Sequence, residues 1–276
     1  MMPRYEKYKD SGMEWVGEIP EHWEVRRLKD FSAIKYGLGQ PPREKSDGLP
    51  LIRATNVFSG RIDAKDLLFI DPDDIPYERD PVLRENDIIV VRSGAYTADS
   101  AIIPKEYDGA ITGYDMVVRC NANINAKFVS YTFLSSYVLA SQLLLNSLRA
   151  AQPHLNKEEL GKTIIVFPNI TEQTAIANYL DERTAKLDKL IKNKGEQIEK
   201  LKEMRQIEIN TAVTKGLNPD AKMKPSGIEW LGDIPEHWEM RRLKDKVKVN
   251  IESLGKETYP EYEIKYLTFP KYGLKY

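Results

Sequence analysis

The feature that most constrains this sequence is that it begins twice. Residues 8–30, "YKDSGMEWVGEIPEHWEVRRLKD", return at 223–245 as "MKPSGIEWLGDIPEHWEMRRLKD", an offset of 215 residues with 17 of 23 positions identical. All four tryptophans (Trp15, Trp23, Trp230, Trp238) and two of the three histidines (His22, His237) lie inside the two copies. Solenoid repeats recur every ~20–50 residues, so this period marks a duplicated, domain-sized unit instead. The first unit runs to about Gly216. A second of equal length would run well past Tyr276, so 217–276 is expected to be the incomplete start of a second domain.

Inside the first unit, β-rich runs alternate with turn residues. Strands are expected at 49–58, 66–70, 87–94, 100–103, 115–120 and 162–167, with loops at 37–48 and 71–81. The strands come mostly in succession, which favours an α+β or mixed sheet over a doubly wound one. The uncharged stretch 128–148 is long enough to span a bilayer. About a third of it is Ser, Thr, Asn or Gln, however, and Phe133, Tyr137, Leu144 and Leu148 recur near helical spacing, so it reads as a buried amphipathic helix.

After Pro168 the pattern changes. From Thr171 to Lys215 there is no proline and one glycine, Gly195. Thr171 is the expected N-cap, and Lys215, Gly216 and Pro219 form a stop signal. Leu180, Leu187, Ile191, Ile198 and Leu201 follow a heptad alternation interrupted by Lys194 and Arg205. A helix of this length spans about 65–70 Å, more than its own domain can cover, so its stripe calls for a partner.

The totals exclude some chemistry. Formal net charge is −1, so any nucleic-acid site must come from local clustering. Cys120 is the only cysteine, which rules out an intrachain disulfide or a CxxC zinc site and fits a reducing, cytoplasmic setting. The N-terminus has no apolar h-region, so no signal peptide is expected.

Catalytic motifs are weak. In "DIPY" (74–77) Ile75 replaces a proline of the amino-methyltransferase motif, and "YGLGQ" (36–40) is a lone GxG. Asp71, Asp73 and Asp74 read as a solvated acidic turn without a nuclease lysine, and Cys120 as a core thiol.

Polar and basic residues do collect at strand ends and in loops. They are Lys35, Tyr36, Gln40, Arg43 and Lys45; Arg53, Thr55 and Asn56; Arg92, Ser93, Tyr96 and Thr97; and Arg149, Gln152, His154 and Asn156. Arg, Asn and Gln can read base edges in a bidentate way, and Lys, Ser and Thr hold phosphates, so these are the DNA-binding candidates.

Four segments together carry a family resemblance. The repeated "IPEHWEVRRLKD" is similar to the opening of a target-recognition half. "LPLIRATNVFSGRID" (49–63) resembles an Ile-Arg-x-x-Asn-Ile segment with its turn. "LRENDIIVVRSGAYTADSAII" (83–103) resembles a Gly-Asp-Ile-hydrophobic pattern, with Glu85-Asn86-Asp87 replacing Gly-Asp. In 150–190 the Pro-x-x-x-Glu-Gln-x-x-Ile junction reads as Pro168, Glu172, Gln173 and Ile176. The chain thereby resembles the specificity subunits of type I restriction-modification systems.

The resemblance implies an α/β fold: a mixed α+β recognition domain with a curved, mostly antiparallel sheet (1–170), a long coiled-coil-forming helix (171–216), and the start of a second recognition domain. It implies a non-catalytic chain that reads one half of a split site on double-stranded DNA and docks methyltransferase subunits, with restriction/translocase subunits joining the complex. S-adenosylmethionine, ATP and Mg would belong to those partners, with no cofactor on this chain and no membrane. Two copies could also pair through Leu180, Leu187, Ile191, Ile198 and Leu201. The early end leaves an alternative, a silent remnant whose recognition domain serves as a recombination cassette.

Overall fold

The structure is a computed structural model and describes residues 5–147 and 153–242. It is a mixed α/β fold with mostly antiparallel sheets and one long helix. In chain order, the hairpin β1 (Tyr8–Asp10)–β2 (Glu18–Pro20) leads into β3 (Glu24–Arg27) and β4 (Ser32–Tyr36). Next come β5 (Glu44–Ile52), β6 (Val57–Phe58), β7 (Arg61–Ile62) and β8 (Leu68–Ile70). Then follow β9 (Ile88–Val90), β10 (Ser100–Ile102), β11 (Ile111–Thr112) and β12 (Met116–Cys120). Helix α1 (Ala126–Leu134) breaks at Ser135 into α2 (Ser136–Ser147). After α3 (Lys157–Gly161) and β13 (Ile164–Phe167) comes α4 (Ile170–Lys215), then β14 (Met223–Pro225) and β15 (Asp233–Pro235).

The central sheet has the order β10-β9-β12-β4, antiparallel throughout. Its strands are apolar on both faces because both are covered. Ile88, Val90, Met116 and Val118 point into one cluster with Phe128, Val129 and Phe133 of α1 and with Val138 and Leu143. Ile89, Val91 and Val117 alternate to the other face and pack with Ile52, Val57, Leu83 and Ile103. This is period-2 geometry on a sheet buried between a helical layer and a second β layer. That second layer is β11-β5-β8, whose β11–β5 pair is parallel.

Several expectations are corrected. The stretch 128–148 is not one helix: α1 and α2 meet at a 68° bend, and no single helix is long and apolar enough to cross a membrane. The expected loop 37–48 already contains the start of β5, bulged between Glu44 and Leu49. The expected strand 49–58 is interrupted by a 3₁₀ turn at Ala54–Asn56. Asn169, not Thr171, caps α4, its side chain accepting from Glu172 N–H at 3.0 Å.

The residues of the junction motif have physical jobs. Gln173, buried, donates to the Pro168 carbonyl at 2.9 Å and accepts from Asn125 N–H at 3.0 Å, tying α4 to the start of α1. Glu172 holds the leading hairpin: His22 Nε2 lies 2.9 Å from its carboxylate and the Tyr5 hydroxyl donates to it. Burial pushes the Glu172 carboxyl up, but the bonds from Tyr5 and His22 outweigh that and hold it below the usual range. Further along α4, Lys127 and Tyr131 bond Asp181 at 2.8 Å, and Arg61 pairs with Asp188.

The chain divides into two compact units, Met1–Ile191 and Lys192–Tyr276, with α4 running through the division. In the second, α4 ends at Gly216, whose φ of 76° is the left-handed geometry of a helix stop. The hairpin β14–β15 repeats β1–β2 bond for bond. Tyr8↔Pro20 and Asp10↔Glu18 become Met223↔Pro235 and Pro225↔Asp233. The Ser11 N–H to Gly17 carbonyl bond becomes Ser226 to Gly232, both 3.0 Å. The remainder of the expected second domain, from residue 243, lies outside the described residues.

Candidate nucleic-acid interface

One edge of the central sheet gathers three strand ends. The antiparallel register sets Met116 opposite both Tyr36 and Val90. The end of β4, the start of β12 and the exit of β9 therefore lie side by side. That brings Tyr36, Tyr114 and Arg92 together. The Arg92 guanidinium carbon lies 4.5 Å from the Tyr36 ring centroid and 4.3 Å from that of Tyr114, a cation held between two aromatic faces. Gly37 permits the crossing, since a Cβ there would sit 2.0 Å from the Gly113 carbonyl oxygen.

The clamp is braced from outside the sheet. Ser93 bridges to His154, and Leu155 N–H donates to the Arg92 carbonyl at 2.7 Å. His154 Nε2 lies 3.4 Å from Arg92 Nη2, and the Tyr36 hydroxyl accepts from Lys157 N–H at 2.9 Å. Arg92 makes no ion pair among the described residues, while its Nε is buried and its Nη2 faces His154. Beside it a cavity of about 220 Å³ is lined by Leu38, Leu51, Arg53, Ser93, Tyr114 and Asp115, among others.

Asp115 accepts from Arg92 N–H at 3.3 Å, and burial pushes its carboxyl up to about 6. The sign of the linkage follows. Below about pH 4 this group is protonated in folded and unfolded chains alike and costs nothing. Between pH 4 and 6 the unfolded chain releases its proton first, so stability falls as pH rises. Above about pH 6 the penalty is constant. Asp115→Asn is therefore expected to flatten the decline of the urea midpoint between pH 4 and 6. An unchanged slope would show that another group sets it.

The other sequence candidates are dispersed. Lys35 pairs with Asp80 at 2.7 Å. Arg43 and Lys45 face Asp71, at 3.7 and 3.2 Å, so the acidic turn is neutralised by its own neighbours. The Arg53 guanidinium donates to the Asp66 carbonyl at 2.8 Å. Asn56 is fully buried and donates to the Asp63 and Lys65 carbonyls, Thr97 bonds the Gly94 carbonyl at 2.7 Å, and Asn156 caps α3. These three side chains serve the fold. Gln40, Thr55 and Tyr96 are exposed. Arg149 and Gln152 lie outside the described residues. Tyr114 and Asp115 were missed by the sequence reading. The signal was their place directly before a strand that pairs with the one ending at Tyr36.

No group of three or more metal-ligating side chains occurs among the described residues. Cys120 is pushed up to about 12 by burial, a poor nucleophile. The arrangement is suited to recognition: a stacked, charged fork at a sheet edge with exposed tyrosines beside it.

Comparison with known proteins places the chain's sequence and fold. The chain is 28% identical over 236 residues to the putative type I restriction enzyme MjaX specificity subunit of Methanocaldococcus jannaschii, covering 83% of this chain and 53% of that protein. It is 28% identical over 179 residues to the type I restriction enzyme EcoBI specificity subunit of Escherichia coli, covering 63% and 37%. The chain spans about half the length of the curated relatives it matches. In fold it is similar to the HsdS subunit from Thermoanaerobacter tengcongensis, with a TM-score of 0.51 at 18% identity over 75% of this chain and 53% of that one. A chain from a type I R-M system structure gives 0.57 at 18% identity over 72% and 47%. Residues 20–200 match the type I restriction modification DNA specificity domain, and the chain belongs to that family.

Proposed function

We propose that this chain is a DNA sequence-recognition subunit of a type I restriction-modification complex and reads one half of a split site through the edge of its central sheet. The observation that carries this reading is Arg92, fixed between Tyr36 and Tyr114 with no ion pair among the described residues. Guanine presents two acceptors, O6 and N7, in the major groove, and an arginine fork matches both. Stacking holds the fork in place and lowers the entropy lost on binding.

In this reading the chain performs no chemistry. Methyltransferase subunits bring S-adenosylmethionine; translocase subunits bring ATP and Mg. The stretch of α4 from Leu187 onward is the docking element. Leu187, Ile191, Ile198 and Leu201 are each more than half exposed there, a stripe that needs a cover. A methyltransferase subunit or a second copy of the chain would supply it.

The test is to co-express the chain with its methyltransferase subunit and map adenine methylation across the host genome. A split motif that depends on the chain is expected, and light scattering should show a complex. Methylation independent of the chain, or a lone monomer with and without the subunit, would overturn the reading.

A further inference from the structure

The central sheet ends at β4, and α3 packs beside that outer strand. At the end of α3, a Cβ on Gly161 would lie 3.4 Å from the Lys29 Cβ and 3.6 Å from the Ile34 Cδ1. Between helix and strand lies a cavity of about 450 Å³, lined by Lys29, Ser32, Lys157, Glu158 and Lys162, among others. Its three lysines are exposed and make no ion pair among the described residues. By contrast, Lys35 is spent on Asp80, Lys45 on Asp71 and Arg119 on Asp87. Glu158 is the one carboxylate of the lining. Positive charge is therefore concentrated here in a chain whose formal net charge is −1.

The cavity adjoins the clamp. Lys157 N–H donates to the Tyr36 hydroxyl at 2.9 Å, and the Tyr36 ring centroid lies 4.5 Å from the Arg92 guanidinium carbon. From Tyr36 back to Ser32, β4 covers about 13 Å at ~3.3 Å per residue. That is the length of about four base-pair steps of a duplex at ~3.4 Å each. The Ser32 hydroxyl is spent on the Leu28 carbonyl at 2.7 Å, so what the cavity offers a ligand is lysine charge.

We propose that this cavity is a phosphate track: Lys29, Lys157 and Lys162 hold the backbone of the same double-stranded DNA whose base edges Arg92 reads, and the duplex runs from the clamp along β4. The track presupposes that the clamp reads DNA, and it adds the direction of the duplex and the residues that set its position. Lysine suits the task, because a compact charge on a flexible stem reaches a phosphate without demanding one geometry. The common border with the clamp singles out duplex DNA among polyanions.

The experiment measures binding of the full chain to a fluorescein-labelled DNA duplex of mixed sequence, by anisotropy, between about 50 and 200 mM KCl. The slope of log affinity against log salt counts the phosphates neutralised, at about 0.9 for each. Lys29→Gln, Lys157→Gln and Lys162→Gln should each lower that slope by about 0.9, and the triple variant by about 2.7. Affinity should fall for all sequences alike, with the methylated motif unchanged. Changing Lys9, Lys105 and Lys200 to glutamine together removes the same charge from exposed positions outside the cavity and should keep the parent slope. A cavity triple with the parent slope, or a control triple that lowers it equally, would overturn the proposal. So would a single-stranded RNA that binds more tightly than the duplex and depends on the same three lysines. Arg92→Ala separates the track from the reading it presupposes. A motif relaxed by Arg92→Ala, with slopes indifferent to the lysines, sinks the track alone. Slopes that follow the lysines, with a motif indifferent to Arg92→Ala, keep the track and remove the clamp.

Discussion

Arg92→Ala is expected to weaken binding to the cognate duplex by about 1–3 kcal/mol, roughly 5- to 150-fold, and to relax one position of the methylated motif. The loss should be selective. Binding to unrelated DNA rests on the summed phosphate contacts and should change far less. Arg92→Lys separates charge from shape. It keeps the cation but loses the planar fork and its fit between Tyr36 and Tyr114, so the motif should relax nearly as much as with alanine. Tyr114→Leu keeps the arginine but removes one wall of the clamp, and should give an intermediate loss. Lys45→Ala is the contrasting control. Lys45 is paired with Asp71 away from the clamp, so it should leave the motif intact. A motif unchanged by Arg92→Ala would remove Arg92 from base reading.

Repetition and periodicity made much of the fold legible. The duplicated phrase predicted a duplicated element, and the two hairpins share register and turn. The long helix was readable from its lack of proline and its heptad spacing. The bend between α1 and α2 was not. Ser135 sits in an uncharged run without proline or glycine, and the break is set by how the two halves pack on the sheet, which is tertiary information. The short strands β3, β4 and β11 were missed because their pairing partners lie far away in sequence. Local pattern cannot see such pairing.

The candidate site shows the same division. Arg92, Tyr36, Ser93 and His154 were recognisable as polar residues near strand ends, but their convergence depends on strand order. Asn56 and Thr97 had the same signature and turned out to be buried braces. Side-chain type identifies what a residue can bond, while topology decides whether its bonds are spent inside.

The largest stability effect is expected from Asp87→Ala. Asp87 is 2% exposed just before β9, and Asn86 stands in the turn that leads to it. Asn86 has φ 70°, the left-handed geometry that glycine adopts freely and asparagine tolerates. That turn lets the Asp87 carboxylate reach back to Arg84 N–H at 2.9 Å while accepting two bonds from Arg119, at 2.8 and 2.7 Å. The Asp87 bonds raise Arg119 against its partial burial. Breaking a buried pair costs about 3–5 kcal/mol, because one charge remains without its partner. Arg119 is about a quarter exposed and also lies 3.6 Å from Asp80, which places the loss near the lower end, about 3 kcal/mol. Asp87→Asn should cost less, since its amide oxygen still caps the turn. Asn86→Gly should be neutral or slightly stabilising, because the backbone geometry already suits glycine. Urea unfolding of the four proteins checks the ranking. An Asp87→Ala midpoint within error of the parent would mean that the pair contributes nothing to folding. A strongly destabilised Asn86→Gly would mean that the asparagine side chain, and not the turn geometry, holds Asp87 in place.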